Sequence, residues 1–383
     1  MLHRLREAGP LRRAVGGSIG ALAALFMTSG SAAPPTIQDD LPLGASASYQ
    51  GAQASDAFSS IHHIGNDRII AGKRSSGPND RFLLSTDDGA TWAPIACPGS
   101  SGAHTYFFGQ NNGTLLSGTG DTGNACIMRS TDKGSRWGVA LSAAKVGTLI
   151  GSSSPKAIFG TVHLGAGRWL ANVKAFDTTI KVIESNDDGV TWTVPAAQPG
   201  QGATAWARQM IQTGDGVLLW PSCNTDQMYR SKDLGQSWKP VTVPGAALFQ
   251  PLCDAGYGAY LCGDLTTAPN GVIRLHRSHD QGRTWSAVAA VNLQRPTMTY
   301  WRDITGIDGV LYASACCVEA TSNERRMRLY KSSNYGKTWT SLGNPFIGPF
   351  GGMQAIYQMC VTDHGEVFAA CQPDSTILRW PIR

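Results

Sequence analysis

Charged side chains make up only 15% of this 383-residue chain, and glutamate occurs just five times. So little charge excludes long solvated helices, coiled coils and polyelectrolyte disorder. The scarcity of glutamate narrows any carboxylate chemistry to a few positions. Long hydrophobic runs are also missing. The longest apolar stretch, AVGGSIGALAALFM at 14–27, is too short and too glycine-rich to make a stable membrane span. No recognised zinc-ligand spacing is present, and no metal or cofactor is expected. The adjacent pair His62-His63 would point to opposite faces of a strand, which favours packing over ligation.

The apolar stretch instead follows a basic leader, MLHRLREAGPLRR, and precedes small residues suited to cleavage near Ala32 or Ala33. Residues 1–33 are read as a signal peptide, 34–45 as a linker and 46–383 as the folded domain, which makes the protein exported, either periplasmic or secreted. Removing the leader's four arginines and one glutamate from 32 basic and 27 acidic residues leaves a net charge of +2. That weak balance gives no support to a nucleic-acid partner. All nine cysteines lie after the leader. In an oxidising compartment Cys253 with Cys262, and Cys360 with Cys371, are the expected hairpin disulfides, with Cys97–Cys126 a third pairing.

What is abundant is glycine, 45 residues, and tryptophan, 11. Six of those tryptophans close one motif, Ser-x-Asp-x-Gly-x-Thr/Ser-Trp. It begins at Ser85, Ser130, Ser185, Ser231, Ser278 and Ser332, although the last copy carries Asn334 in place of aspartate and the second has Arg136 in the Thr/Ser slot. The intervals of 45 to 55 residues are those of four-stranded propeller blades. Each copy suits a hairpin turn. The carboxylate can accept backbone N–H groups, the glycine tolerates a positive φ, and the indole buries a large ring.

The motif resembles the Asp-box, or BNR repeat. The chain resembles the propellers that carry it: sialidases, certain xyloglucan-acting hydrolases and photosystem II assembly factors of the Ycf48 kind. A second hairpin precedes every box, as in DRIIAGK, NGTLLSGT, GRWLANVK and DGVLYASA. A seventh, HGEVFAACQPDSTILRWPIR, ends the chain without a box. The expected fold is therefore an all-β, seven-bladed propeller in which the segment from Ser46 supplies the missing outer strand of the terminal blade. The sialidase number, six blades, is the alternative. The resemblance also places the boxes opposite the active face, so their aspartates are scaffold.

On the opposite face the candidates come from the inner strands and from loops between the second and third strands. The inner strands share an aromatic residue followed by a variable one: Phe58-Ser59, Tyr106-Phe107, Phe159-Gly160, Trp206-Ala207, Phe249-Gln250, Trp301-Arg302 and Tyr357-Gln358. One member should pack between blades and the other face the channel. Arg74, Arg208, Arg302 and Arg325 are candidates for a carboxylate-bearing sugar, since guanidinium binds carboxylate bidentately. Gln250, Gln358, Trp206 and Trp301 are further substrate contacts.

Sialidases imply three arginines, a tyrosine nucleophile assisted by glutamate, and an acid/base aspartate. The Arg-Ile-Pro stretch of that family is absent here. Tyr300, Glu319 and Asp226 are the catalytic candidates, though Tyr300 precedes the glutamate rather than following it. A lyase would draw on Arg302, Gln250, Gln358, Tyr300 and His104, and an inverting hydrolase on Asp226 with Glu319. Two functions stand open: a secreted monomer that binds and cleaves acidic glycans or polysaccharides, or a non-catalytic binding or assembly propeller.

Overall fold

The computed structural model describes residues 46–50, 57–73, 82–97, 104–120, 125–175, 180–199, 210–221, 226–244, 248–264, 272–288, 291–292, 296–319, 325–342, 355–372 and 376–382. It is a β-propeller. The blade of the first box contains strands Phe58–Gly65, Arg68–Lys73, Phe82–Ser85 and Ala93–Ile95, antiparallel and in chain order. The blades of the fourth, fifth and sixth boxes repeat this order, starting from inner strands Ile211–Gln212, Leu248–Gly256 and Pro296–Ile307. The second and third blades, with inner strands His104–Asn111 and Ala157–Gly165, are fused where Ala157 pairs with Gly120. A β-carbon at Gly120 would lie 2.3 Å from the Ala157 α-carbon, so this approach needs glycine.

The terminal blade has the order Ser46–Gln50, Thr376–Pro381, Glu366–Gln372, Ala355–Val361. Its outer strand therefore comes from the N-terminal side of the domain, as the missing seventh box implied, and pairs antiparallel with the chain's last strand. The closure is latched by one hydroxyl. Ser48 Oγ donates to Gly89 O at 2.5 Å and accepts from Trp92 Nε1 at 3.0 Å. In boxes two, three, five and six the indole donates instead to the glycine carbonyl of its own box, at 3.0–3.2 Å.

Every box folds the same way. The serine hydroxyl donates to the aspartate and accepts the glycine N–H, while the aspartate accepts the backbone N–H four residues on, as in Ser185–Asp187–Gly189–Thr191 at 2.8, 2.9 and 2.8 Å. Asn334 keeps the turn: its Oδ1 accepts Thr338 N at 2.9 Å, and its Nδ2 donates to the Thr338 hydroxyl. Two successive residues have positive φ, and the first is unrestricted in type (Asp88, Lys133, Asp188, Leu234, Gln281, Tyr335), so φ alone does not demand the glycine. Space does. A β-carbon on Gly89, Gly189, Gly235, Gly282 or Gly336 would come within 2.4–2.9 Å of Phe368, Leu116, Leu170, Leu219 or Leu261, each on the second strand of the preceding blade. The Phe368–Gly89 contact carries this relation across the closure.

Two departures from the sequence reading stand out. The 55-residue interval between boxes two and three holds a helix, Ala143–Ile150, capped by Ser142 and ended by Gly151 at φ 69°. The structure holds none of the expected disulfides: Cys97, Cys126, Cys253, Cys262, Cys360 and Cys371 are all buried and not cross-linked. Cys253 pairs with Leu261 and Cys262 with Leu252, so the two are diagonal and pack in different core clusters on opposite faces of the sheet. Cys360 pairs with Phe368 and Cys371 with Ile356, several residues apart along the hairpin, beyond the roughly 7 Å α-carbon limit of a disulfide. Cys97 and Cys126 do share a cluster.

Candidate functional site

The tight turns between first and second strands lie with the boxes, because box backbone N–H groups bond to their carbonyls: Lys133 to Gly113 at 3.0 Å, Asp188 to Gly167 at 2.7 Å and Tyr335 to Gly309 at 3.0 Å. The opposite ends of the strands form the other face. Arg74, Trp206 and Arg208 lie outside the described residues.

Inner strands are sheet edges, so part of their backbone N–H groups lack ladder partners. Buried side chains of the neighbouring blade supply them. Thr161 Oγ1 accepts Gly109 N at 3.0 Å, Asp303 Oδ2 accepts Met359 N at 2.5 Å and Gln358 Oε1 accepts Ile61 N at 3.1 Å. Gln358, expected as a substrate contact, is thus a buried link between the terminal and first blades. Trp301 is corrected in the same way. Its ring is fully buried, donates to Arg274 O at 3.1 Å and packs against Tyr330 and Trp339, so it is core rather than a sugar platform.

The inner strands also bulge, at Ser59, Phe107, Phe159, Arg302 and Tyr357, each an extra residue opposite the second strand. A bulge re-aims the side chain it carries. In the sixth and terminal blades the bulged residues meet: the Arg302 guanidinium carbon sits 4.5 Å from the centre of the Tyr357 ring, both residues half-buried. The exposed member is the second of Trp301-Arg302 but the first of Tyr357-Gln358, because the bulge falls one position earlier relative to the aromatic. Sequence pairing alone does not reveal that offset.

Next to Arg302, Asp303 is buried beside Cys253 and Cys360. Desolvation pushes its carboxyl up to about 8 against the opposing hydrogen bonds from the Met359 and Ile304 backbone. It faces the blade junction, holding a backbone N–H, and has the character of a neutral structural acid. Lys73 and Lys174, at the far ends of second strands, are buried. His62 is half-buried, and desolvation and the neighbouring His63 hold it down to about 4 despite a hydrogen bond with Gln110. Among the described residues no group of three His, Cys, Asp or Glu could hold a metal ion.

The catalytic candidates can be placed by backbone register and position. Tyr300 pairs with Cys316 and Glu319 with Pro296, so three residues, roughly 10 Å of strand, separate Glu319 from the partner of Tyr300. Arg325 pairs with Val318. Gln250 lies in the irregular stretch between the pairs Phe249–Gly263 and Leu252–Cys262. Asp226 is exposed at the start of Gln227–Ser231, and its carbonyl accepts Val243 N at 2.6 Å. The element that sequence reasoning missed is Tyr357 as the partner of Arg302. Its signal was the recurring aromatic at the start of each inner strand.

The BNR repeat-like domain matches residues 157–344. A xyloglucanase from Paenibacillus sp is 26% identical over 251 residues, and that match spans 55% of this chain but only 24% of the relative's length. Three solved structures share the fold. YCF48 bound to D1 peptide superposes with a TM-score of 0.61 at 15% identity, covering 89% of this chain and 97% of that one. YCF48 from Cyanidioschyzon merolae gives 0.60 at 13%, covering 88% and 99%. The GH74 xyloglucanase from Xanthomonas campestris gives 0.60 at 14%, covering 87% and 52%. Repeat, sheet order and neighbours agree, and the chain is a β-propeller built on Asp-box (BNR) repeats.

Proposed function

We propose that the protein is an exported propeller that binds acidic glycans on the face opposite its Asp-boxes, with Arg302 stacked on Tyr357 as the anchor. The observation that carries this reading is the 4.5 Å guanidinium–ring contact between two bulged, half-buried residues of neighbouring inner strands. A stacked guanidinium keeps its edge N–H groups aimed for a carboxylate, and the ring offers an apolar face to a sugar. The leader at 1–33 supports export. The inner strands support a seven-bladed ring, since each lies against the next from Phe58–Gly65 round to Ala355–Val361 and back.

Cleavage would require groups beyond this pair, and Tyr300, Glu319 and Asp226 are the residues to vary for it. The relative named a xyloglucanase supports a glycan ligand. A second reading, a propeller that grips a peptide, is favoured by the likeness to YCF48 bound to D1 peptide. Titration of residues 34–383 with sialylated and uronate-containing oligosaccharides, and with acidic peptides of equal charge, separates the two. Glycan binding lost in Arg302→Ala supports the first reading. Peptide binding alone replaces it with the second.

A further inference from the structure

The junction between the fourth and fifth blades carries charge that the box scaffold does not require. An arginine precedes the box serine at Arg129, Arg230 and Arg277. The first two reach across to the next blade in the same way, Arg129 Nε to Asp188 O at 2.8 Å and Arg230 Nε to Gln281 O at 2.6 Å. At the earlier junction the guanidinium is then neutralised, Arg129 Nη2 meeting Asp188 Oδ2 at 3.2 Å. At the later one the residue in the place of Asp188 is Gln281, a neutral amide whose Oε1 is 3.4 Å from Arg230 Nη2.

Arg230 is only 7% exposed, yet it lines a cleft of about 480 Å³ together with Lys232, Lys239 and Arg283. The equivalent positions of the Arg129 junction are Thr131, Gly138 and Val190, all uncharged. Two carboxylates lie nearby, and both are engaged by their own turns: Asp233 by Ser237 N at 2.8 Å and Asp280 by Thr284 N at 2.9 Å. Four cations thus line the cleft against two carboxylates, Asp233 in its wall and Asp280 near Arg230, which leaves an excess of positive charge. Burial, with the like charge of Arg283, disfavours protonation of Arg230, and the charge of Asp280 opposes them in part.

We infer that this cleft is an oxyanion site, taking a sulfate or phosphate ester group between Arg230, Lys232, Lys239 and Arg283. A tetrahedral dianion answers both the guanidinium, held by the neutral carbonyl and amide of Gln281, and the lysines, and Pro240 and Val241 give its carrier an apolar wall. The site is separate from the Arg302–Tyr357 pair and does not depend on what binds there.

The test is calorimetric titration of the folded protein with sodium sulfate and with inorganic phosphate at constant ionic strength. The same titration is then made with a sulfated disaccharide and a sugar phosphate. Saturable one-to-one binding is expected. It should weaken at least about tenfold in the double variant Arg283→Ala/Lys239→Ala, whose residues are exposed and spare the fold. It should persist in Lys145→Ala, an exposed cation on the helix, and in Arg302→Ala. Whichever ester binds more tightly than its free ion names the natural source. No saturable heat, or an equal loss in Lys145→Ala, overturns the inference.

Discussion

A β-carbon placed on Gly282 would lie 2.4 Å from a δ-carbon of Leu219, on the second strand of the preceding blade. The recurring form of the turn is therefore a blade-to-blade contact as much as a local one. Gly282→Ala should destabilise the protein by about 2–4 kcal/mol, combining the cost of a positive φ with overpacking. Gly134 has its nearest neighbours, Leu115 and Ile70, at 3.2 and 3.3 Å, so Gly134→Ala should cost clearly less. Urea unfolding of the two variants checks the order.

The ring closure makes a second prediction. Ser48→Ala removes the acceptor for Trp92 Nε1 and the donor to Gly89 O. A loss of about 1–2 kcal/mol is expected, seen as a lower Tm. Ser46→Ala on the same strand should change Tm far less.

Two carboxylates give opposite pH dependences. In the third box, donation from the Thr191 hydroxyl and backbone holds Asp187 down to about 2. Its folded value is below its unfolded one, so its contribution is full above about pH 4 and disappears as pH falls towards 2. Asp303 is the reverse: burial raises it to about 8. The folded state then holds a proton that the unfolded state releases above about pH 4, and stability falls as pH rises through 8. Asp187→Asn should flatten the acid limb while keeping the turn, as Asn334 does naturally, and Asp303→Asn should flatten the alkaline limb. Unfolding free energies at pH 3, 5.5 and 8.5 decide both.

The thiols are open to a direct count. Under denaturing, non-reducing conditions, peptide mapping should find neither Cys253 joined to Cys262 nor Cys360 joined to Cys371. Either linkage would contradict the register.

The parts of this fold that sequence makes legible are those that repeat with a short period. Box turns, the hairpins before them and the closing strand all follow from local chemistry and from the absence of a seventh box. The helix Ala143–Ile150 was not legible, because eight residues inside one long interval leave no periodic signal. The disulfides were misjudged because nearness in a hairpin says nothing about which face a side chain takes. Parity along the strand placed Cys253 and Cys262 on opposite faces. Arg302 was singled out from its charge, but its contact with Tyr357 was not expected: a bulge at Tyr357 moved the less buried position onto the aromatic and left Gln358 bonded to Ile61 N. The loops that would complete the site differ in length and composition from blade to blade, so no repeat constrains them.

The most direct test of the functional reading is to compare residues 34–383 with their Arg302→Ala and Tyr357→Ala variants against sialylated and uronate-containing glycans, measuring binding by calorimetry and products by mass. The account predicts saturable binding of an acidic glycan that each substitution weakens at least about tenfold. Equal affinity in all three proteins, or binding only to neutral glycans, would contradict it.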